Sequence, residues 1–181
     1  MKKNLTFALF TFLILIAIIH LSAAQHTGRS TLNDQPDFIN KYFESKPLTD
    51  SSVGVPVTNV NIKAVRHFAN SFKQAEHVNW FKCDNGIVAL FTQDGIKSRA
   101  DYDKRGNWLY NIRTYDESRL PKDIRDIVKR TYYDYSITCV NEIKDGQQIA
   151  YVIQVQDKTS IKTLNIYDGE LYVANEYVKS N

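Results

Sequence analysis

The sequence predicts an α+β protein in which a tandem repeat of two α-β-β-β-β units forms one mainly antiparallel sheet with two helices packed on one face. Apolar residues recur at helical spacing in two separate stretches, and after each stretch the apolar period falls to two, which is typical of strands. Short Gly-containing turns separate the strands. Consecutive strands are therefore expected to pair as antiparallel meanders rather than through parallel crossovers.

The first 24 residues have the pattern of a secretory signal peptide. Lys2 and Lys3 precede the apolar stretch Leu5–Leu21, and Ser22-Ala23-Ala24 fits the small-residue rule for cleavage. Cleavage after Ala24 leaves 157 residues, with 21 basic and 20 acidic side chains. This balance argues against a nucleic-acid partner, and no second apolar run is long enough for a membrane span. We expect an exported protein, periplasmic or extracellular, without a membrane span after cleavage.

Residues 25–60 have the composition of a polar, partly ordered leader. Pro47–Pro56 contains the Ser, Gly and Pro residues of a loop. The leader carries one apolar cluster, with members one helical turn apart: Phe38, Ile39, Tyr42 and Phe43. We expect this segment to precede a single domain that spans residues 61–178.

The first repeat is predicted over residues 61–118. Its helix covers Asn61–Gln74, where Ile62, Val65 and Phe68 recur at helical spacing and Asn61 can cap the start. Asn85-Gly86 predicts a type I′ hairpin turn, because both central residues of that turn need positive φ. The four predicted strands are Val78–Cys83, Ile87–Thr92, Ile96–Asp103 and Asn107–Tyr115.

The second repeat is predicted over residues 119–178. Its helix covers Pro121–Tyr133, with Pro121 at a position that needs no backbone N–H donor. Asp123 near the start and Lys129 near the end match the helix dipole. The four predicted strands are Ile137–Ile143, Gln148–Val155, Ser160–Tyr167 and Glu170–Val178.

The two cysteines, Cys83 and Cys139, form a candidate disulfide because an exported protein meets an oxidising environment. The alternative is two buried thiols without a bridge. No cysteine or histidine spacing fits a metal site, and no nucleophile, phosphate-loop or dinucleotide motif is present. We therefore expect no enzyme activity, no metal and no cofactor.

Three features resemble the PepSY-like family of exported bacterial proteins, also described as β-lactamase-inhibitor-protein-like (BLIP-like). They are Leu120-Pro121-x-x-Ile124 at the second helix, the hairpins in which Lys precedes Asp-Gly or Asn-Gly, and the string Tyr102-Asp103-Lys-Arg-Gly106-Asn107-Trp108, which looks like the family's F-D-x-x-G-x-W. The resemblance covers roughly residues 61–178. It implies a repeat folded into a sheet with two helices on one side, and it supplies no catalytic residues.

The predicted function is that of an exported, non-enzymatic binding module that engages an envelope protein or peptide through the open sheet face, as an inhibitor does. The alternative is a binder of small molecules or cell-wall fragments with a pocket between helices and sheet. Trp108, Tyr110 and Ile112 are expected to share the buried face. The candidate binding residues on the open face are then Lys97, Arg99, Asp101, Leu109, Arg113 and Tyr115.

Overall fold

Short turns and alternating apolar residues divide the chain into two helices and nine strands within the part that the structure covers. The structure is a computed structural model and describes residues 55–180. In chain order its elements are β1 (Val55–Pro56), α1 (Ile62–Ser71), β2 (Glu76–Cys83), β3 (Gly86–Gln93), β4 (Ile96–Asp103), β5 (Trp108–Tyr115), a 3-10 turn (Glu117–Arg119), α2 (Lys122–Thr131), β6 (Ser136–Asp145), β7 (Gln148–Gln156), β8 (Ser160–Tyr167) and β9 (Glu170–Val178).

The strands form one sheet whose strand order follows the chain order, with every neighbouring pair antiparallel. The predicted α+β class is therefore confirmed. β1 was not predicted: Val55 pairs with Lys82 and Pro56 with Phe81, so the end of the predicted leader belongs to the sheet. The predicted signal peptide and residues 25–54 of the leader lie outside the described residues.

Both helices pack on the same side of the sheet. α1 buries Ala64 and Phe68 against β3 and β4, and α2 buries Ile124 and Val128 against β6, β7 and β8. The two contact regions are linked through β5. Asn111 pairs with Ala100 beneath α1, whereas Tyr115 pairs with Val140 beneath α2. Asn111 and Tyr115 are four residues apart in one strand, so their side chains point to the same side.

A helix followed by four strands occurs twice in the described chain, over residues 62–115 and 122–178. Each helix has 10 residues and buries its third and seventh. The superposition of residues 61–118 on residues 119–178 remains a prediction.

The hairpin turns use glycine in two different ways. Asp94-Gly95 and Asp168-Gly169 have positive φ at both residues, as a type I′ turn requires. The same prediction for Asn85-Gly86 is wrong, because neither residue has positive φ. Gly86 instead begins β3 where the backbone of β4 passes close by, and a Cβ atom there would lie 1.9 Å from the carbonyl oxygen of Tyr102.

The candidate disulfide is not formed, because Cys83 and Cys139 are not bridged to each other. Cys83 lies in β2 and Cys139 in β6, with β3, β4 and β5 between them. Strands four places apart in a sheet are separated by about 19 Å. A disulfide needs Cα atoms within about 7 Å, so this sheet keeps the two cysteines out of reach of each other.

The turn between β7 and β8 predicts an acid-sensitive contribution to stability. The Asp157 carboxylate accepts hydrogen bonds from the backbone N–H groups of Thr159 at 2.8 Å and Ser160 at 2.6 Å. The Thr159 bond is the main reason that the pKa of Asp157 falls from 3.8 to about 2. A carboxyl group with a lowered pKa stabilises the fold above its unfolded-state pKa, and this contribution is lost as the pH falls through the folded-state pKa.

We therefore expect Asp157→Ala to lower the melting temperature at pH 7. The difference in melting temperature between this variant and the unchanged protein should shrink as the pH falls from 3.8 to about 2. Thermal denaturation monitored by circular dichroism across this pH range measures it. The control is Asp134→Ala, an exposed aspartate in the connection before β6. A difference that stays constant down to the lowest pH contradicts the assignment.

Candidate functional site

The sheet face opposite the helices is the candidate functional site, and we call it the helix-free face. Cross-strand register places one row of its residues across the sheet: Leu90, Arg99, Ile112, Ile143, Ala150 and Tyr167. No helix among residues 55–180 packs on this side, because both helices bury their apolar residues against the other. Within residues 55–180 this surface is therefore available to a partner on geometric grounds.

A buried ion pair lies on this face. Arg99 binds Asp101 with two hydrogen bonds, from Nε at 2.7 Å and from Nη2 at 2.6 Å. The two side chains are only 11% and 9% exposed. Burial raises the pKa of Asp101, and the hydrogen bonds from Arg99 and Tyr110 act in the opposite direction. The guanidinium and the carboxylate therefore neutralise each other within the protein.

Apolar side chains flank this ion pair. Tyr110, Ile112 and Ile143 form a buried cluster, against which Leu109 and Val152 pack. Val88 on β3 lies directly opposite Asp101 and is buried as well. The expectation of a solvated row of charges is thus corrected, since of Lys97, Arg99 and Asp101 only Lys97 is exposed.

The six candidate residues do not share one face. Lys97, Arg99 and Asp101 lie on the helix-free face, and Leu109 packs against the cluster there. Arg113 and Tyr115 lie on the helix side, because Arg113 pairs with Ser98 and Tyr115 with Val140. The prediction of a single surface containing all six is wrong.

A β-bulge in β5 is the physical reason. Trp108 pairs with Tyr102, and Tyr110 pairs with the preceding residue Asp101, which leaves Leu109 as the extra residue. Trp108 therefore faces the helices, where its ring stacks on His67 with centroids 5.5 Å apart. Tyr110 faces the other way. Tyr110 and Ile112 are buried as predicted, but on the helix-free face.

Arg113 and Tyr115 join β5 to β6 on the helix side. Glu142 accepts hydrogen bonds from Arg113 Nη1 at 3.2 Å and from the Tyr115 hydroxyl at 2.6 Å. The Arg113 guanidinium also lies over the Tyr115 ring, 5.8 Å from its centroid. Burial, and secondarily the hydrogen bond to Glu142, raise the pKa of Tyr115 well above its usual value. These contacts give the two residues a role in holding the centre of the sheet together.

Several residues of the helix-free face were not among the predicted binding residues. The aromatic ones lie near both edges and in the centre: Phe81, Tyr110, Tyr167, Tyr172 and Tyr177. The type I′ turn at Asp168-Gly169 was a usable signal, because it fixes the register of β8 and β9 and so the face of Tyr167 and Tyr172.

The described residues contain neither a cluster of metal-ligand side chains nor a long apolar helix. Among residues 55–180, no three His, Cys, Asp or Glu side chains come together in a way that could hold a metal ion. None of the helices in that range is long and apolar enough to cross a membrane.

The architecture described above defines a class of fold: an antiparallel meander with two helices on one side. No protein-family model matches the sequence, and no curated protein matches it significantly. Solved structures do share the fold. A BLIP-like protein from Bacteroides fragilis has a TM-score of 0.56 and 16% sequence identity, over 69% of this chain and 90% of that one.

Two other solved structures share this fold. A DUF2874 family protein from Bacteroides ovatus gives a TM-score of 0.56 at 16% identity, over 67% of this chain and 89% of its own. A candidate periplasmic protein from Bacteroides eggerthii gives 0.54 at 13%, over 67% and 90%. The chain therefore has a BLIP-like fold. These likenesses support the BLIP-like part of the resemblance and not the PepSY-like part specifically.

Proposed function

We propose that this chain is an exported, non-enzymatic binding protein that holds an envelope protein or peptide on its helix-free face, as an inhibitor-like module. One observation carries the proposal. That face places a neutralised Arg99–Asp101 pair among apolar and aromatic side chains, and no helix of residues 55–180 covers it. Arg, Tyr and Trp supply most of the binding energy in protein interfaces, and the best anchors lie in a dry centre within a polar rim.

Two further observations support the proposal. The sequence begins with the pattern of a signal peptide, and one structure of the same fold comes from a candidate periplasmic protein. Another is BLIP-like by description, a name that refers to an inhibitor. Export, the lack of catalysis and the inhibitor-like role are all parts of the proposal.

The alternative function, a small-molecule or cell-wall-fragment binder, needs a cavity between helices and sheet. Two depressions in residues 55–180 lie at the outer edge of the sheet, where β1, residues 57–60 and the start of α1 meet β2. Neither reaches α2 or the strands beneath it, so an open depression at one edge is weaker support for this alternative than a cavity between both helices and the sheet.

The test is affinity capture of the chain from Gln25 onward against the envelope extract of its own source. The face variant combines Lys97→Ala with Tyr172→Ala, both on the helix-free face. The control combines Lys122→Ala with Tyr133→Ala on and beside α2, where both residues are exposed. Each pair removes one lysine and one tyrosine, so the losses of charge and ring area are matched.

We expect the face variant to weaken capture of the same protein about tenfold or more, which is the effect of removing one interface anchor. The control should bind like the unchanged chain. Equal losses in the two variants, or no loss in either, would contradict a partner on the helix-free face. Circular dichroism of each variant establishes that it is folded.

A further inference from the structure

The corner formed by β1, α1 and the outer edge of β2 carries an exposed apolar surface that the helix-free face does not explain. Val55, Ile62, Val65 and Val78 are 69%, 61%, 36% and 37% exposed. We call these four residues the apolar corner. A depression that includes two of them, Val65 and Val78, is also lined by Val57, Val60 and Trp80. Such a grouping is a feature of binding surfaces, whereas apolar residues exposed singly need no explanation.

The two helices differ at equivalent positions in a way that isolates this feature. The first, fourth and eighth residues of α1 are Ile62, Val65 and Ala69. Those of α2 are Lys122, Arg125 and Lys129, and each of them forms an ion pair on or beside the helix. The same flank therefore carries ion-paired basic side chains in α2 and apolar side chains in α1.

The charged side chains on and just after α1, beside the apolar corner, are all basic. α1 contains Lys63 and Arg66, Lys73 follows it, and the helix has no acidic residue. Arg66 and Lys73 are exposed and form no ion pair within residues 55–180. Helical spacing places Arg66 next to the stripe of Ile62 and Ala69, and Lys73 lies two residues beyond the end of the helix at Ser71. The expected occupant is a segment with apolar side chains and a negative charge.

We propose that the occupant is this chain's own leader, through residues 34–43. That segment contains Asp34 and Asp37, the apolar cluster named above, and a single basic residue, Lys41. These residues lie outside the described residues, so the proposal concerns only where they bind. The segment is opposite to the flank of the corner in charge and, like the corner, contains apolar side chains. This proposal is independent of the binding proposed for the helix-free face.

The point of attachment favours the same occupant. The leader joins the fold at Val55, which is itself part of the apolar corner and is fixed there by pairing with Lys82. Residues 44–54 connect the segment to Val55 and can span roughly 35 Å when extended. α1 is only about 15 Å long. A short tether gives an effective concentration in the millimolar range, so weak contacts are sufficient for binding.

Hydrogen–deuterium exchange on the chain from Gln25 to Asn181 tests the proposal. We expect the amides of residues 34–43 to exchange about tenfold or more slowly than those of a free peptide of the same sequence. Arg66→Glu with Lys73→Glu should abolish that protection. Adding Asp34→Lys with Asp37→Lys should restore it, because the charges are then exchanged between the two sides. The control Arg130→Glu, an exposed cation of α2, should leave the protection unchanged.

Several outcomes overturn the proposal. Unprotected amides in the unchanged chain would show that the leader does not bind the apolar corner. The occupant of the corner would then be an acidic partner other than the leader. Protection that survives the Arg66 and Lys73 reversal would place the leader elsewhere. Protection that rises with protein concentration would assign the corner to the leader of a second copy. Exchange in β3 and β4 reports in every case whether the variant is folded.

Discussion

Replacing Arg99 with alanine is expected to cost about 3–5 kcal/mol of the free energy of unfolding, the usual result when one partner of a buried ion pair is removed. The Asp101 carboxylate would lose both of its hydrogen bonds from Arg99 while remaining buried between its cross-strand neighbours Val88 and Tyr110. The sequence alone predicts the opposite, a change within about 0.5 kcal/mol, because Arg99 sits in an alternating row of charges that resembles a solvated surface. Urea denaturation followed by tryptophan fluorescence measures the difference.

Arg113→Ala provides the matched control for Arg99→Ala. Its ion pair with Glu142 is longer, at 3.2 Å, and its side chain is 36% exposed. We expect a loss of no more than about 1 kcal/mol. The double variant Arg99→Leu with Asp101→Leu should recover much of the stability lost by Arg99→Ala, since it leaves no buried charge behind. Equal losses for Arg99→Ala and Arg113→Ala would show that the Arg99–Asp101 pair is exposed to water in solution.

Gly86→Ala is expected to cost about 3 kcal/mol or more, at the upper end for overpacking. The new Cβ would stand 1.9 Å from the Tyr102 carbonyl oxygen, and a backbone atom cannot swing aside as the end of a side chain can. The start of β3 would have to separate from β4. That separation would disturb the pairing of Gly86 with Asp103 and of Ile87 with Tyr102.

Gly146→Ala separates crowding from the general effect of losing a glycine. Gly146 has φ of +61°, and a Cβ atom added to it would meet no heavy atom within 4 Å. The cost there is confined to left-handed backbone strain, about 1–2 kcal/mol. Urea midpoints of the two variants give the comparison. A loss for Gly146→Ala as large as that for Gly86→Ala would contradict the close approach of β4 to Gly86.

The sequence predicts the elements well because apolar periodicity reports burial directly. Both helices and the eight longer strands lie within a few residues of their predicted bounds. β1 escaped prediction because it has two residues and one of them is Pro56. So short a strand depends on pairing with β2, and local sequence contains little information about such a contact.

The site was harder to predict than the fold, because strand faces depend on register and one extra residue reverses them. The bulge at Leu109 moved Tyr110 and Ile112 to the helix-free face and Arg113 and Tyr115 to the helix side. The loop that precedes the bulge contains the sequence feature that indicates the changed register of β5. Asp103 accepts hydrogen bonds from the backbone N–H groups of Arg105 and Asn107, and this arrangement fixes how the chain re-enters the sheet at Trp108.

The order of the strands has a consequence for how quickly the protein acquires its structure. Turns of two to four residues join all neighbouring strands except β1 to β2 and β5 to β6, where a helix intervenes. Most strand pairs can therefore form by closing short loops, which is fast, and few need a search over distant parts of the chain. Proteins dominated by such local pairings fold faster than sandwiches with long crossovers. The slow events are then the two pairings that span a helix, β1 with β2 across α1 and β5 with β6 across α2, where Tyr115 must find Val140.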